Sequence, residues 1–275
     1  MTFTIYGTAT SSGIAIGPAC LLGTNLLDSV NAKTDTTDRL AEANRLEEAV
    51  SRTIIYLEEV KNNIPSSAPR EAISFVDTHR KMVCDESLIS TVASLLERNN
   101  CTAEWALRLY EKDLSSFFEK TGDSYFESRK EDIRQVINLI LKNFSSQLSV
   151  DLFHNSSLKS SIVVAQDLSP SDLIMFSKEG ISGFCTEFGA DLSHTAILAR
   201  SLGLSFVIGV QAAMKLFRDQ EIVVVDGEKG LIFGEPDNTT LNFYQSKISK
   251  KRREEARIKK IMIDRDVVSF DGKTI

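Results

Sequence analysis

The chain has 275 residues, 42% of them hydrophobic and 25% charged, which is the composition of an ordinary globular protein of one or two domains with a sizeable core. No apolar run approaches the length of a membrane span, and the opening MTFTIYGTAT has neither the basic nor the apolar region of a secretory leader, so a cytoplasmic chain with no membrane contact is expected. The formal net charge is −6, yet residues 247–260 (KISKKRREEARIKK) are strongly basic and the body before them is acidic, which argues against a nucleic-acid face as the main function and suits a basic protein partner.

Glycine placement marks the internal boundaries. Of the 14 glycines, Gly122 alone falls between residues 24 and 179, while both flanks are glycine-rich. Long helices avoid glycine and tight strand connections need it, so a helical middle between β-rich ends is expected. The N-terminal FTIYGTATSSGIAIGPACLL supplies strand material. From Leu40, apolar residues at Ala43, Leu46, Val50, Ile54, Leu57 and Val60 trace one helical stripe that ends before Pro65 and Pro69. The segments EAISFVDTHRKMVCDE and SLISTVASLLER read as two further helices. Another opens at Thr102 and runs through Trp105, Leu109 and Phe117, and EDIRQVINLILKNF closes the set. Four or five amphipathic helices in succession imply a bundle.

After a polar connection from Asn143 to Ser161 the pattern changes to strands alternating with helices. SIVVAQDL is a strand. SPSDLIMFSKEG is a helix with Ser169 as N-cap, Pro170 in the first turn, Asp172 at the capping-box position and Gly180 as its stop. ISGFCTE, a helix TAILARSLG, SFVIGV, a short helix near AAMKLF, and the pair EIVVVD and LIFGEP joined through Gly227 to Gly230 complete the series. The simplest architecture is an α/β layer with the helical bundle inserted after its first strands.

Chemistry-bearing residues are few. Cys20, Cys84, Cys101 and Cys185 have neither metal-knuckle nor disulfide-framework spacing, and no metal site is expected. The histidines are His79, His154 and His194. His194 lies where a loop containing Gly189 enters a helix. There the unsatisfied N–H groups and the helix dipole favour an anion, and a neutral imidazole is a competent nucleophile. Ser193 and Thr195 flank it with hydroxyls, and a histidine that only caps or packs against a helix start fits the same spacing.

The segment Gly189-Ala190-Asp191-Leu192-Ser193-His194-Thr195-Ala196-Ile197-Leu198-Ala199-Arg200 resembles the phosphohistidine signature of the phosphoenolpyruvate-utilising enzymes. It departs from it at Leu192, where a hydroxyl or amide residue is usual, and at Asp191, often Arg in the nearest relatives, which places a negative charge near the phosphoryl group. More widely, the chain is similar to the N-terminal half of the Enzyme I family of the bacterial phosphoenolpyruvate-dependent sugar phosphotransferase system. The similarity rests on Ser11 to Gly17, on His79 with Asp85 and Glu86, on Tyr125 to Arg134, on Asp167-Leu168-Ser169-Pro170-Ser171, and on Arg200 to Leu204.

That resemblance implies an α/β plus α fold, a swivelling β/β/α phosphohistidine domain with an inserted helical bundle. It implies boundaries at 1–24 plus 145–236 for the phosphohistidine domain, 36–144 for the carrier-docking bundle, 237–263 for an exit helix and linker, and 264–275, with its strand-like Val267 to Lys273, for the start of a further domain. It implies a phosphotransferase in sugar uptake: a C-terminal barrel binds phosphoenolpyruvate and Mg²⁺, His194 receives the phosphoryl group, and a histidine of the small carrier protein HPr takes it on. No cofactor is expected within this chain. Ser169 is implied to donate to the His194 ring, with Ser193 and Thr195 adding hydroxyl hydrogen bonds. His79, Met82, Val83, Ser87, Leu88 and Arg129 are implied to form the carrier-docking surface, although Met82, Val83 and Leu88 fit a bundle core equally well. The chain is implied to be the monomeric first half of a homodimeric enzyme. Two other readings compete: a docking or regulatory module that is not phosphorylated, and the swivelling domain of a pyruvate phosphate dikinase-like enzyme, against which the preceding helical insertion speaks.

Overall fold

The computed structural model describes residues 2–22, 38–65, 68–119, 124–144, 159–191 and 193–263. The expected strand at Val267 to Lys273, His154 and Leu192 lie outside these residues, as does the side chain of Arg129.

Five helices follow the first three strands: α1 (Arg39–Asn62), α2 (Arg70–Val83), α3 (Glu86–Asn99), α4 (Ala103–Glu119) and α5 (Ser124–Lys142). The stripe that predicts α1 is its buried face at Leu46, Val50, Leu57 and Val60, although Leu40, its first member, is 73% exposed. Asp38 caps α1 by accepting from Ala41 N at 2.9 Å, and Asp85 caps α3 by accepting from Ser87 N at 2.9 Å. The N-terminus of α4 is capped from a distance, because the buried Glu42 of α1 accepts from Ala103 N at 2.8 Å. α5 starts at Ser124, seven residues before the Glu131 at which the sequence pattern begins.

The α/β part is one eight-stranded sheet built from β1 (Phe3–Tyr6), β2 (Thr8–Ala9), β3 (Ile14–Leu22), β4 (Ile162–Ala165), β5 (Gly183–Thr186), β6 (Ser205–Ile208), β7 (Ile222–Asp226) and β8 (Leu231–Gly234), in the order β1-β8-β7-β3-β4-β5-β6-β2. Its two edge strands, β1 and β2, are separated in sequence by Gly7 alone, so the sheet curls until it is nearly a barrel. The long strand β3 serves both halves. Ile14 to Pro18 pair antiparallel with β7, and Ala19 to Leu22 pair parallel with β4. Because β3 and β4 are neighbours in the sheet, the bundle is an insertion between adjacent strands.

Period-two alternation separates two cores. Ile162, Val164, Cys185, Val207, Val223 and Val225 point into the curled sheet, where Phe217 joins them. Val163, Ala165, Phe184, Phe206 and Ile208 point the other way, onto α6 (Pro170–Lys178) and α7 (His194–Ser201). That second core continues through Leu173, Phe176 and Leu198 into the bundle residues Leu57, Leu96, Leu107, Ile137 and Ile140. The short helix α8 (Ala213–Leu216) precedes β7.

The basic C-terminal helix α9 (Asn238–Ile263) is anchored at its start rather than only leading away. Tyr244 is buried with its ring 5.3 Å from that of Phe233, and Lys247 Nζ lies 3.2 Å from Oδ2 of the wholly buried Asp226. Among the described residues no helix is long and apolar enough to cross a membrane.

Candidate active site

His194 is the first residue of α7 and is exposed. Ser193 caps the helix, its Oγ accepting from Ala196 N at 3.2 Å, so the N–H groups of His194 and Thr195 are the ones left at the helix start for an incoming anion. The approach to it needs glycine. Gly189 sits at φ +129, a backbone region other residues rarely occupy, and turns the chain from the end of β5 toward the nucleophile. Thr195 points inward and donates to Leu168 O at 2.9 Å, tying α7 to the loop that precedes α6.

The bundle closes one side of the site. The ring of Phe75, on α2, lies 5.4 Å from the His194 ring and 3.9 Å from that of His79. From α5, Glu131 forms a two-point pair with Arg134 at 2.8 and 2.9 Å, and Arg134 also reaches Asp167, which follows β4, at 3.4 Å. Burial pushes the Glu131 carboxyl up, but the hydrogen bonds from Arg134 and Gln135 outweigh it and hold the group ionised below its usual range. Burial raises Asp167, against the pull of Arg134. Of these groups Glu131, from the bundle, interacts electrostatically with the exposed imidazole.

Several expectations change here. The hydroxyl of Ser169 donates to Asp172 Oδ2 at 2.8 Å and accepts from Asp172 N at 3.2 Å, completing the capping box of α6, so its proton is directed at Asp172 and not at the His194 ring. Thr195 is likewise committed to a carbonyl. Of the three, only Ser193 shows no hydroxyl donation to another group of the protein among the described residues; its Oγ caps the helix that begins at His194. Asp191, expected to bring bare negative charge to the phosphoryl position, is paired with Arg200 at 2.7 Å, and Arg200 Nε also donates to Thr10 O at 3.1 Å.

The docking surface is revised as well. His79, Val83 and Leu88 are buried at 2%, 0% and 5% exposure because they lie on the core-facing stripes of α2 and α3, and such side chains cannot meet a partner. Ser87 is exposed and Met82 half-buried. Cys84, Asp85 and Glu86, at the junction of α2 and α3, are exposed beside Ser87. Both acidic residues stand at a helix start, outside the apolar stripe. Among the described residues no group of three or more His, Cys, Asp or Glu side chains is arranged to hold a metal ion.

A nearly closed sheet with an inserted helical bundle has counterparts among known proteins. Residues 6–129 match the model for the N-terminal region of PEP-utilising enzymes, and residues 158–230 match that for their mobile domain. The chain belongs to the PEP-utilising enzymes. Within that family it is 33% identical over 285 residues to the phosphoenolpyruvate-protein phosphotransferase of Cupriavidus necator and 30% identical to that of Bacillus subtilis, covering 100% and 98% of this chain but 48% and 46% of those proteins. The chain thus spans about half the length of the curated relatives it matches. Among solved structures it is similar to an Enzyme I protein studied in solution, with a TM-score of 0.68 at 28% identity over 90% of this chain and 99% of that one. The N-terminal domain of a nitrogen Enzyme 1 shares the fold, with a TM-score of 0.63 over 89% of this chain at 23% identity.

Proposed function

We propose that this PEP-utilising family member is the carrier-facing half of a phosphoenolpyruvate-protein phosphotransferase, in which His194 accepts a phosphoryl group and exchanges it with a histidine of the carrier protein HPr. The observation that carries this reading is the placement of His194. It is an exposed imidazole at a capped helix start, within a signature segment whose loop is turned by Gly189. The imidazole lone pair attacks phosphorus as the nitrogen–phosphorus bond of the donor breaks. The helix-start N–H groups face the oxygens of the transferred group, and the Ser193 hydroxyl proton is positioned to join them.

In the longer relatives, the other half of the protein is where phosphoenolpyruvate and Mg²⁺ are taken to bind. On this reading the chain alone trades phosphate with the carrier and needs that second half to draw on phosphoenolpyruvate. The carrier docks against the exposed junction of α2 and α3, where Asp85, Glu86 and Ser87 meet the half-buried Met82 and offer negative charge to a basic surface. The N–H and hydroxyl of Ser87 hold the Asp85 carboxylate below its usual range, so this charge persists in mild acid. Sugar uptake is the pathway this reading assigns, in a cytoplasmic setting.

The test is labelling from phosphorylated HPr. The account predicts an acid-labile, base-stable label that His194→Ala removes. A label that survives the substitution contradicts it.

A further inference from the structure

His79 is buried in the bundle, and its Nε2 has no hydrogen-bond partner among the described residues. Such a group normally costs stability, and a Leu or Phe would fill the α2 core without the penalty. Its neighbours give it another use. The Phe75 ring centroid lies 3.9 Å from that of His79 at an interplanar angle of 52° and 5.4 Å from that of His194 at 37°, so one ring is in tilted contact with both imidazoles.

We infer that His79 is a positioning residue of the phosphohistidine site: when His194 carries a phosphoryl group, His79 takes up a proton and, as an imidazolium against Phe75, offsets part of the new negative charge. This rests on the phosphotransfer reading of His194 given above.

The charges facing His79 support it. In the unphosphorylated chain His79 is held neutral, with its titration brought down to about 4, first by burial and then by the positive form of His194, against the opposing pull of Glu131 on α5. Glu131 is itself engaged by Arg134 and Gln135 from the same helix, and Asp167, after β4, lies behind Arg134. Phosphorylation reverses the influence of His194, whose cationic form repels a proton on His79. The nitrogen–phosphorus bond to the donor imidazole breaks and one to His194 forms. The second nitrogen of His194 keeps its proton, so the ring is cationic while the phosphoryl group carries a charge near −2, and the phosphorylated side chain is about −1 overall. A neighbour that repelled a proton on His79 becomes one that attracts it, while Glu131 continues to attract. The unpartnered Nε2 supplies the lone pair, solvent supplies the proton, and the face of Phe75 stabilises the cation formed.

The experiment is histidine-ring NMR of the whole chain before and after phosphorylation by phospho-HPr, with intact mass read in parallel. His79 is expected to be neutral at pH 6 in the free protein and to shift its midpoint upward by about one unit or more in the phosphorylated protein. A midpoint that stays in place while the mass shows one added phosphoryl group overturns the inference and leaves the phosphotransfer reading intact. No added mass overturns that reading instead. In parallel, His79→Gln, which retains a polar side chain of similar size but cannot hold the charge, is expected to flatten the rise in phosphorylated fraction as pH falls from 8 to 6. A profile identical to that of the unsubstituted chain also contradicts the inference.

Discussion

Asp172, at the start of α6, accepts from Lys142 Nζ of α5 at 2.8 Å, and this ion pair joins the bundle to the α/β layer at the helix that precedes His194. The carboxylate is buried, and it also accepts from Ser169 N at 3.0 Å and Ser169 Oγ at 2.8 Å. Burial raises its pKa, but Lys142 and Ser169 together bring it below the usual carboxylate value.

Asp172→Ala is therefore expected to cost about 2–3 kcal/mol, since it strands a buried N–H and removes a charge-assisted bond, whereas Ser169→Ala should cost about 1 kcal/mol as a lost cap. The sign with pH follows from the lowered folded-state value. The Asp172 contribution is complete above the unfolded carboxyl value of about 3.9 and is lost as pH falls through the lower folded one. Urea unfolding at pH 7 and near pH 3 measures both. An Asp172→Ala chain as stable as the parent at neutral pH contradicts the assignment.

Asp191 and Arg200 offer a contrast. Both are about half-exposed, so their 2.7 Å pair is worth little to stability, and Asp191→Asn should change it by under about 1 kcal/mol. Its effect on phosphorylation should be visible. Removing the carboxylate releases Arg200 and takes a negative charge away from the phosphoryl loop, so the equilibrium with phospho-HPr should shift toward the phosphorylated chain by up to about fivefold. A quenched-mixture ratio that moves toward the carrier argues against this role for Asp191.

Much of this arrangement is legible in the residues themselves. Ser169, Pro170, Asp172 and Gly180 spell out α6 with its cap and its stop, and the structure shows the capping box with Gly180 at φ +81. The helical stripe of α1 and the strand runs of β4 to β8 are equally local signals. Contacts between distant segments are not. Nothing near Glu42 in sequence announces that it caps α4, 61 residues away, and nothing near Lys142 announces Asp172. Val83 and Leu88 pose a related problem: their apolar character suits a core or an interface equally, and only the packing of α2 and α3 on the bundle places them in the core. Likewise the pattern around Ser169 makes it a helix cap and the family resemblance points its hydroxyl at His194, while in the structure that hydroxyl donates to Asp172.

Tyr244 extends the pH argument to the alkaline side. Burial and then the neighbouring Asp226 raise its phenol to about 12. A group with a raised folded-state value contributes its stability fully below the unfolded value of about 10, and loses it as pH climbs through the folded one. The docking of α9 should therefore weaken between about pH 10 and 12, and Tyr244→Phe should blunt that loss. Far-UV circular dichroism combined with tyrosinate absorbance resolves the two events. Ionisation of Tyr244 near 10 with no change in helix content contradicts the anchoring role.

Gly189→Ala would force a side chain onto φ +129 at the turn into the nucleophile loop, at a cost of about 1–3 kcal/mol in local strain. The expected outcome is a folded chain with slowed phosphorylation, since the sheet is untouched and only the approach to His194 is displaced. Thermal unfolding and single-turnover labelling on the same sample separate the two effects. Unchanged labelling kinetics contradict the role given to this turn.

The central claim is that His194 is the phosphoryl carrier of this chain, and intact-mass spectrometry after exposure to phosphorylated HPr tests it most directly. The account predicts a single added phosphoryl group on the unsubstituted chain and none on His194→Ala. An unmodified parent chain, or an added group that persists in the variant, contradicts it.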